Sequence, residues 1–391
     1  MEPSVARLLL LFPLVALPVQ LCEIPRGSSS LIRSLDLKLL RLTEDLSKEP
    51  NPSVYVALRL SNEHSLEREV QYLQRLENAF QRTPSSSVPA DQQEQPKTGL
   101  LALHLLALRA ACQDMENRKG WRLVTQLKHQ LHKEKKQIDR ESSGRPITNY
   151  YQYSLGVLAL CVHGKKIDAH VLHKLLNAEK NHRFMHNVKL SVDTEAMAGL
   201  AFACLAQTTF YTSDLVAEIS LALQRVKEKI LQAQTPEGAF GNIFSSPLAV
   251  QLLIATGMST KKPECLKGMA AILGSLEQGQ FQNPMIVSQL LPVLHGKSYV
   301  DLGTMQCQGE KDTLVLGTSS PSSGTVSLGA GMITIHLIVK RPQAVRNCTN
   351  RPSRCPPAPL SWPSWKLLRS GALGNSHLKC RTLCMALSSL Q

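Results

Sequence analysis

The sequence predicts an all-α fold, an (α/α)6 toroid in which inner and outer helices alternate. Three observations carry that reading. Six segments are built from small and apolar residues at helical spacing, and a helix apolar on nearly all faces is buried on all faces. Between them lie segments with one clear polar face, as expected of helices with a side to water. The apolar segments start roughly 40 to 55 residues apart, a period that marks a repeated helix pair.

The inner segments begin near Asn51 (NPSVYVALRLS), Gly99 (GLLALHLLALRAAC), Asn149 (NYYQYSLGVLALCV), Val192 (VDTEAMAGLAFACLA), Ser246 (SPLAVQLLIAT) and Pro284 (PMIVSQLLPVL). The outer, amphipathic segments are Leu31 to Leu46, Leu66 to Gln81, Trp121 to Gln137, Ile167 to Ala178, Asp214 to Gln232 and Pro263 to Leu276. Two units agree in detail, EGAFGN (Glu237 to Asn242) and QGQFQN (Gln278 to Asn283). Gly238 and Gly279 suit left-handed positions after a helix end, and Phe240 and Phe281 would plug the turns. Six pairs can close into a ring, hiding the ends that an open superhelix, the alternative architecture, must cap.

The chain has 391 residues and divides unevenly. Residues 1–21 read as a signal peptide, with Arg7 ahead of the apolar run Leu8 to Leu17, which is too short for a membrane span. Residues 22–308 form the toroid. Residues 309–340 read as a linker and the first strand of a small β-rich domain, since GMITIHLIVK (Gly331 to Lys340) alternates. Residues 341–391 are Pro-rich and basic without an acid, and are expected to be disordered; their one sequon is Asn347-Cys348-Thr349. The net charge is +14, of which the eight Lys or Arg of 341–391 supply +8. The remainder reads as mixed in sign along helical faces, which argues against nucleic acid as a partner. No later segment is apolar enough to insert in a membrane, so a secreted, soluble, extracellular protein is expected.

Ten cysteines in a secreted chain argue for disulfides. Cys22, Cys112, Cys161, Cys204, Cys265 and Cys307 are widely spaced, while Cys348, Cys355, Cys380 and Cys384 crowd into the last stretch, where pairing is open. Without CxxC pairs, a zinc site is not expected. Cys161 and Cys204 lie at equal depth in inner helices that should be neighbours, with Cys112 a rival partner.

In a closed ring all inner helices run the same way, so their N-termini and free N–H groups gather on one rim. Thr148, Asn149, Tyr150, Tyr151 and Gln152 fall there, with Asp193, Asn242, Ser245 and Gln289. Capping is a competing role, strongest for Ser191, Asp193 and Ser245. The run of tyrosines and amides suits a large neutral ligand rich in hydrogen-bonding groups. An α/α-toroid enzyme of glycosidase or isoprenoid type is the alternative. It needs converging carboxylates, yet the acids Asp193 and Glu195 are two apart and cannot face one another. His163, His170, His173, His182 and His186 cluster in sequence, and most read as solvated. No catalytic consensus for a serine hydrolase, a zinc protease or a phosphate loop occurs, so no catalytic residue is assigned.

Taken together, CEIP after the leader, LALRAAC, TNYYQYSLGVLALCV, SVDTEAMAGLAFACL, QTPEGAFGNIFSSPLAVQLL and FQNPMIVSQLLPVL resemble the transcobalamin family of vitamin B12 carriers, with intrinsic factor and haptocorrin. The resemblance runs from about Cys22 to about Cys307 and more weakly to Val339. It implies cobalamin clamped between a ring and a β-rich domain, carried for uptake through a cell-surface receptor by a monomeric, non-enzymatic protein. It implies that the nine rim residues line the corrin, and that the disulfides are Cys22–Cys265, Cys112–Cys307 and Cys161–Cys204. Three departures stand out. A usual glutamine contact is Leu100 here. The usual cobalt-ligating histidine position holds Lys189, which when protonated has no lone pair to give, leaving His186, or else His182, as the candidate ligand. After Arg341 the resemblance stops, which suggests a truncated copy and, as a further reading, an isoform that no longer retains ligand.

Overall fold

The computed structural model describes residues 26–81, 97–186, 189–257 and 263–314. The expected signal peptide, Cys22, the strand Gly331 to Lys340 and the segment 341–391 with its sequon and four cysteines lie outside the described residues.

Twelve α-helices alternate between two layers among the described residues. The outer layer is α1 (Ser29–Leu42), α3 (Leu66–Gln81), α5 (Arg118–Arg140), α7 (Ala169–Lys180), α9 (Ser213–Gln232) and α11 (Pro263–Glu277). The inner layer is α2 (Pro52–Leu60), α4 (Thr98–Ala110), α6 (Tyr150–Val162), α8 (Val192–Leu205), α10 (Ser246–Ala255) and α12 (Pro284–Leu294). Each inner helix packs on the next, and α12 returns to pack on α2, so the ring is closed and the open superhelix is excluded.

The inner helices are apolar throughout because both faces are covered. Leu105, Leu158, Leu200, Leu252 and Leu290 have no exposed surface, and each such side chain contributes about 1.5–3 kcal/mol through burial. Starts follow capping chemistry. Asn51 and Asn283 accept from the N–H groups of Ser53 and Met285 ahead of helices that open on Pro52 and Pro284. Between neighbouring inner helices space is short. A Cβ on Gly199 would lie 2.7 Å from Leu252, so α8 and α10 approach over a bare backbone. Gly238, at φ +99°, and Gly279, at φ +70°, hold the left-handed turns, with Phe240 and Phe281 buried beneath.

One end of the ring is closed by the chain itself. A 3-10 turn, Tyr299–Thr304, packs against α2, α4, α6, α8 and α10. Arg109 donates to the carbonyls of Val162 (3.2 Å), Gly303 (2.7 Å) and Met305 (3.4 Å). Arg59, buried at the end of α2, donates to Ala110 O (3.1 Å), Glu69 (2.8 Å) and Glu310 (2.7 Å). Both arginines meet carbonyls that helix C-termini leave open. Disulfides join Cys112 to Cys307 and Cys161 to Cys204; Cys265 is also disulfide-bonded.

Two expectations are corrected. α1 ends at Leu42 rather than Leu46, and Leu46 is 80% exposed because the chain leaves the helix at Thr43. The positive charge outside 341–391 is not spread along helical faces. α5 alone carries eight Lys or Arg against Glu134 and Asp139, so one outer helix accounts for the excess.

Candidate ligand-binding rim

Every connection from an outer to an inner helix arrives at the N-terminal end of the inner layer, opposite the 3-10 turn. Four of the sequence-predicted residues meet there by side-chain contact. Gln289, on α12, donates through Nε2 to the Tyr151 hydroxyl of α6 at 3.2 Å. These helices are three steps apart around the ring, so the bond spans its interior. Ser245 donates to Asp193 Oδ2 at 3.1 Å, joining α10 to α8. Burial raises the Tyr151 phenol, and the Asp193 charge raises it further. Burial also raises Asp193, while the Ser245 hydroxyl acts to lower it. Asp193 therefore acts on Tyr151 from the neighbouring inner helix.

Gln152 reaches the neighbouring helix, where its Oε1 accepts from Gly99 N at 3.3 Å. A Cβ on Gly99 would collide with that amide at 2.8 Å, so the glycine is needed for it. Thr148 donates through its hydroxyl to Glu134 at 2.7 Å, and Thr98 donates to the same oxygen at 2.8 Å.

Two residues have local roles. Asn149 caps α6, accepting from Gln152 N (2.8 Å), and Asn242 holds the turn ahead of α10, accepting from Phe244 N (2.9 Å) and Ser245 N (3.0 Å). Ser191 caps α8 through Thr194 N, but Asp193 and Ser245 do not cap; the two bond each other instead. Tyr150 turns away from the opening. Its hydroxyl donates to Gly144 O at 2.6 Å and its ring packs against Phe184 at 5.4 Å. One residue is 100° of helical turn, which separates it from Tyr151.

The histidines divide. His163 is not solvated; it ends α6, contacts Leu105 O through Nε2 at 2.8 Å, and burial pushes it down to about 4. His182 is an exposed left-handed residue (φ 51°) ending α7. Met185–His186 pairs antiparallel with Lys189–Leu190 in a small hairpin, β1 and β2, with His186 opposite Lys189. The two strands lead directly into α8.

The rim also carries apolar surface that sequence patterning did not single out. Leu100, Ile147, Met185, Phe244 and Met285 are each at least 40% exposed, and all sit on outer-to-inner connections or at inner-helix starts. The available signal was their position, just ahead of or inside the first turn of an apolar segment, where a folded ring has nothing of its own to cover them. Phenol, amide, carboxyl and exposed apolar groups thus share one face. That combination suits a large flat ligand with an apolar face and a polar edge. It is poor equipment for acid–base chemistry. Glu195 points away from Asp193 to Lys229, at 3.2 Å, beneath the ring wall. Among the described residues no group of three or more metal-ligating side chains occurs.

Comparison with known proteins fits this geometry. Residues 4–327 match the family described as eukaryotic cobalamin-binding protein. Transcobalamin-2 of Rattus norvegicus is 46% identical, over 80% of this chain and 74% of its own length. Transcobalamin-2 of Homo sapiens is 43% identical over 82% of this chain and 74% of its own. The solved structure of haptocorrin in complex with Cbi superposes with a TM-score of 0.62 at 24% identity, covering 76% of this chain and 74% of that one, a likeness of fold. Ring, rim and sequence therefore agree that this chain belongs to the eukaryotic cobalamin-binding protein family.

Proposed function

We propose that the chain is a secreted, monomeric, non-enzymatic carrier that binds cobalamin on the N-terminal rim of its ring and delivers it through a cell-surface receptor. The observation that carries this reading is the Tyr151–Gln289 bond across the ring beside the Asp193–Ser245 pair, set in exposed apolar surface. A corrin has a broad apolar face and a periphery of amides, and buried amides need partners. Tyr151, Gln152, Asp193, Ser245 and Gln289 supply those partners. Thr148, Asn149, Tyr150 and Asn242 shape the rim, the first through Glu134 and the others through the helix starts. Residues 22–308 act as the binding unit. Family membership and the names of the relatives support the reading; among the described residues no helix is long and apolar enough to cross a membrane.

Titration of the full chain with cobalamin, followed by absorbance, tests it. A saturable spectral change at one ligand per chain is expected; an unchanged spectrum at excess protein would sink the proposal. His186 is proposed as the cobalt ligand because β1 and β2 run into α8, which carries Asp193. A His186→Ala change should then shift the visible bands of the complex, and identical bands would remove that assignment.

A further inference from the structure

Helix α5 carries a feature that cobalamin binding does not use. It spans Arg118–Arg140 on the outside of the ring and buries Leu123, Val124, Leu127, Leu131, Glu134 and Ile138 against its neighbours. At 100° per residue, Arg118, Arg122, His129, Lys133, Lys136 and Arg140 fall within about 60° of arc, on the side opposite that buried face. The stripe runs about 33 Å along the helix, and no acid interrupts it. Of the two acids on α5, Glu134 is buried and bound to Thr98 and Thr148, and Asp139 lies off the stripe, paired with Lys174. Lys119 is also off the stripe, paired with Glu77 at 2.7 Å. Alongside, a shallow groove between α5 and α7 is lined by Lys128, His129 and His132, with Asp168 at its α7 edge holding His170 N. Trp121 stands 63% exposed at the start of the helix.

We infer that the outer face of α5 is a binding site for an extended sulfated polysaccharide. A straight row of basic side chains, five of them Lys or Arg, matches a linear chain with negative charges at regular intervals. A membrane surface is a poorer match. An interfacial helix must sink an apolar face into the lipid boundary, and the apolar face of α5 is buried against the ring. The choice of an extracellular glycan over another polyanion rests on the proposed secretion; cobalamin binding is not assumed.

The test immobilises a size-defined heparin oligosaccharide and measures binding of the full chain across a salt series. The wild type should bind, with affinity falling as salt rises. The triple variant Arg122→Gln, Lys136→Gln, Arg140→Gln should bind about tenfold more weakly. A control triple of equal charge change on exposed sites elsewhere, Lys180→Gln, Lys267→Gln, Lys297→Gln, should bind like wild type. Equal losses in the two triples would reduce the effect to net charge and overturn the site. So would absence of binding at low salt, or binding to phosphatidylserine vesicles through α5 as strong as to heparin. Circular dichroism melts of the same samples show that the variants are folded, and cobalamin titration is run beside them. The titration separates the two claims, since heparin binding can fail while cobalamin binding stands, and the reverse.

Discussion

The two ends of the ring are made from the same six inner helices and end in opposite conditions. At the C-terminal end nearly everything is spoken for. Arg59 and Arg109 meet carbonyls, the 3-10 turn fills the opening, and Gln251 ties the turn to the ring, donating to Gln289 O at 2.7 Å and accepting from Tyr299 N at 3.1 Å. At the N-terminal end the polar groups are joined by a few long bonds, and large apolar side chains remain in solvent. A ring needs only one sealed end to be stable, and the other is free to carry function. Stability and binding should therefore respond to mutation at different ends.

The largest effect is expected at the sealed end. Arg59→Ala strands the buried Glu69 and frees Glu310, and should cost about 3–5 kcal/mol in chemical denaturation. Next, replacing Cys112 and Cys307 by serine opens a link across 195 residues. That should cost about 2–4 kcal/mol, read as a drop in denaturation midpoint. Both variants, where folded, should bind cobalamin as wild type does. At the rim the pattern should reverse. Tyr151→Phe should leave the melting temperature nearly unchanged and weaken cobalamin by about 1 kcal/mol, roughly fivefold in Kd by calorimetry.

The smallest effect is a pH dependence. Burial pushes the Glu195 carboxyl up to about 7; Lys229 acts against the shift and the charge of Glu179 adds to it. The folded group thus holds its proton more tightly than the unfolded one. Its contribution is complete below about pH 4.5 and is lost as pH rises through about 7. Melts across that range should show the decline, and Glu195→Gln should flatten it. A slope unaffected by the change would place its origin elsewhere.

Much of the fold was legible because period and composition are local. Leu66 to Gln81 was expected and α3 spans those residues; the apolar segment from Asn149 is α6 with Asn149 as its cap. The 3-10 turn left no trace, since YVDLGT is too short to show a period and its partners come from five helices. The rim was partly legible. Position at helix starts marked Tyr151, Asp193 and Ser245, but Gln289 lies in the second turn of α12 and nothing local says that it meets a tyrosine 138 residues away. Tyr150 shows the converse, because being next to Tyr151 in sequence puts it on another face. The α5 stripe was hidden by summing charge over the whole chain rather than over one face of one helix.

The most direct test of the division between the two ends is a paired cobalamin titration and thermal melt of Tyr151→Phe/Gln289→Met against Arg109→Ala. The account expects the rim pair to lose affinity at an unchanged melting temperature. Arg109→Ala should lower the melting temperature while affinity holds. Loss of affinity in Arg109→Ala with the rim pair still binding as wild type would contradict it.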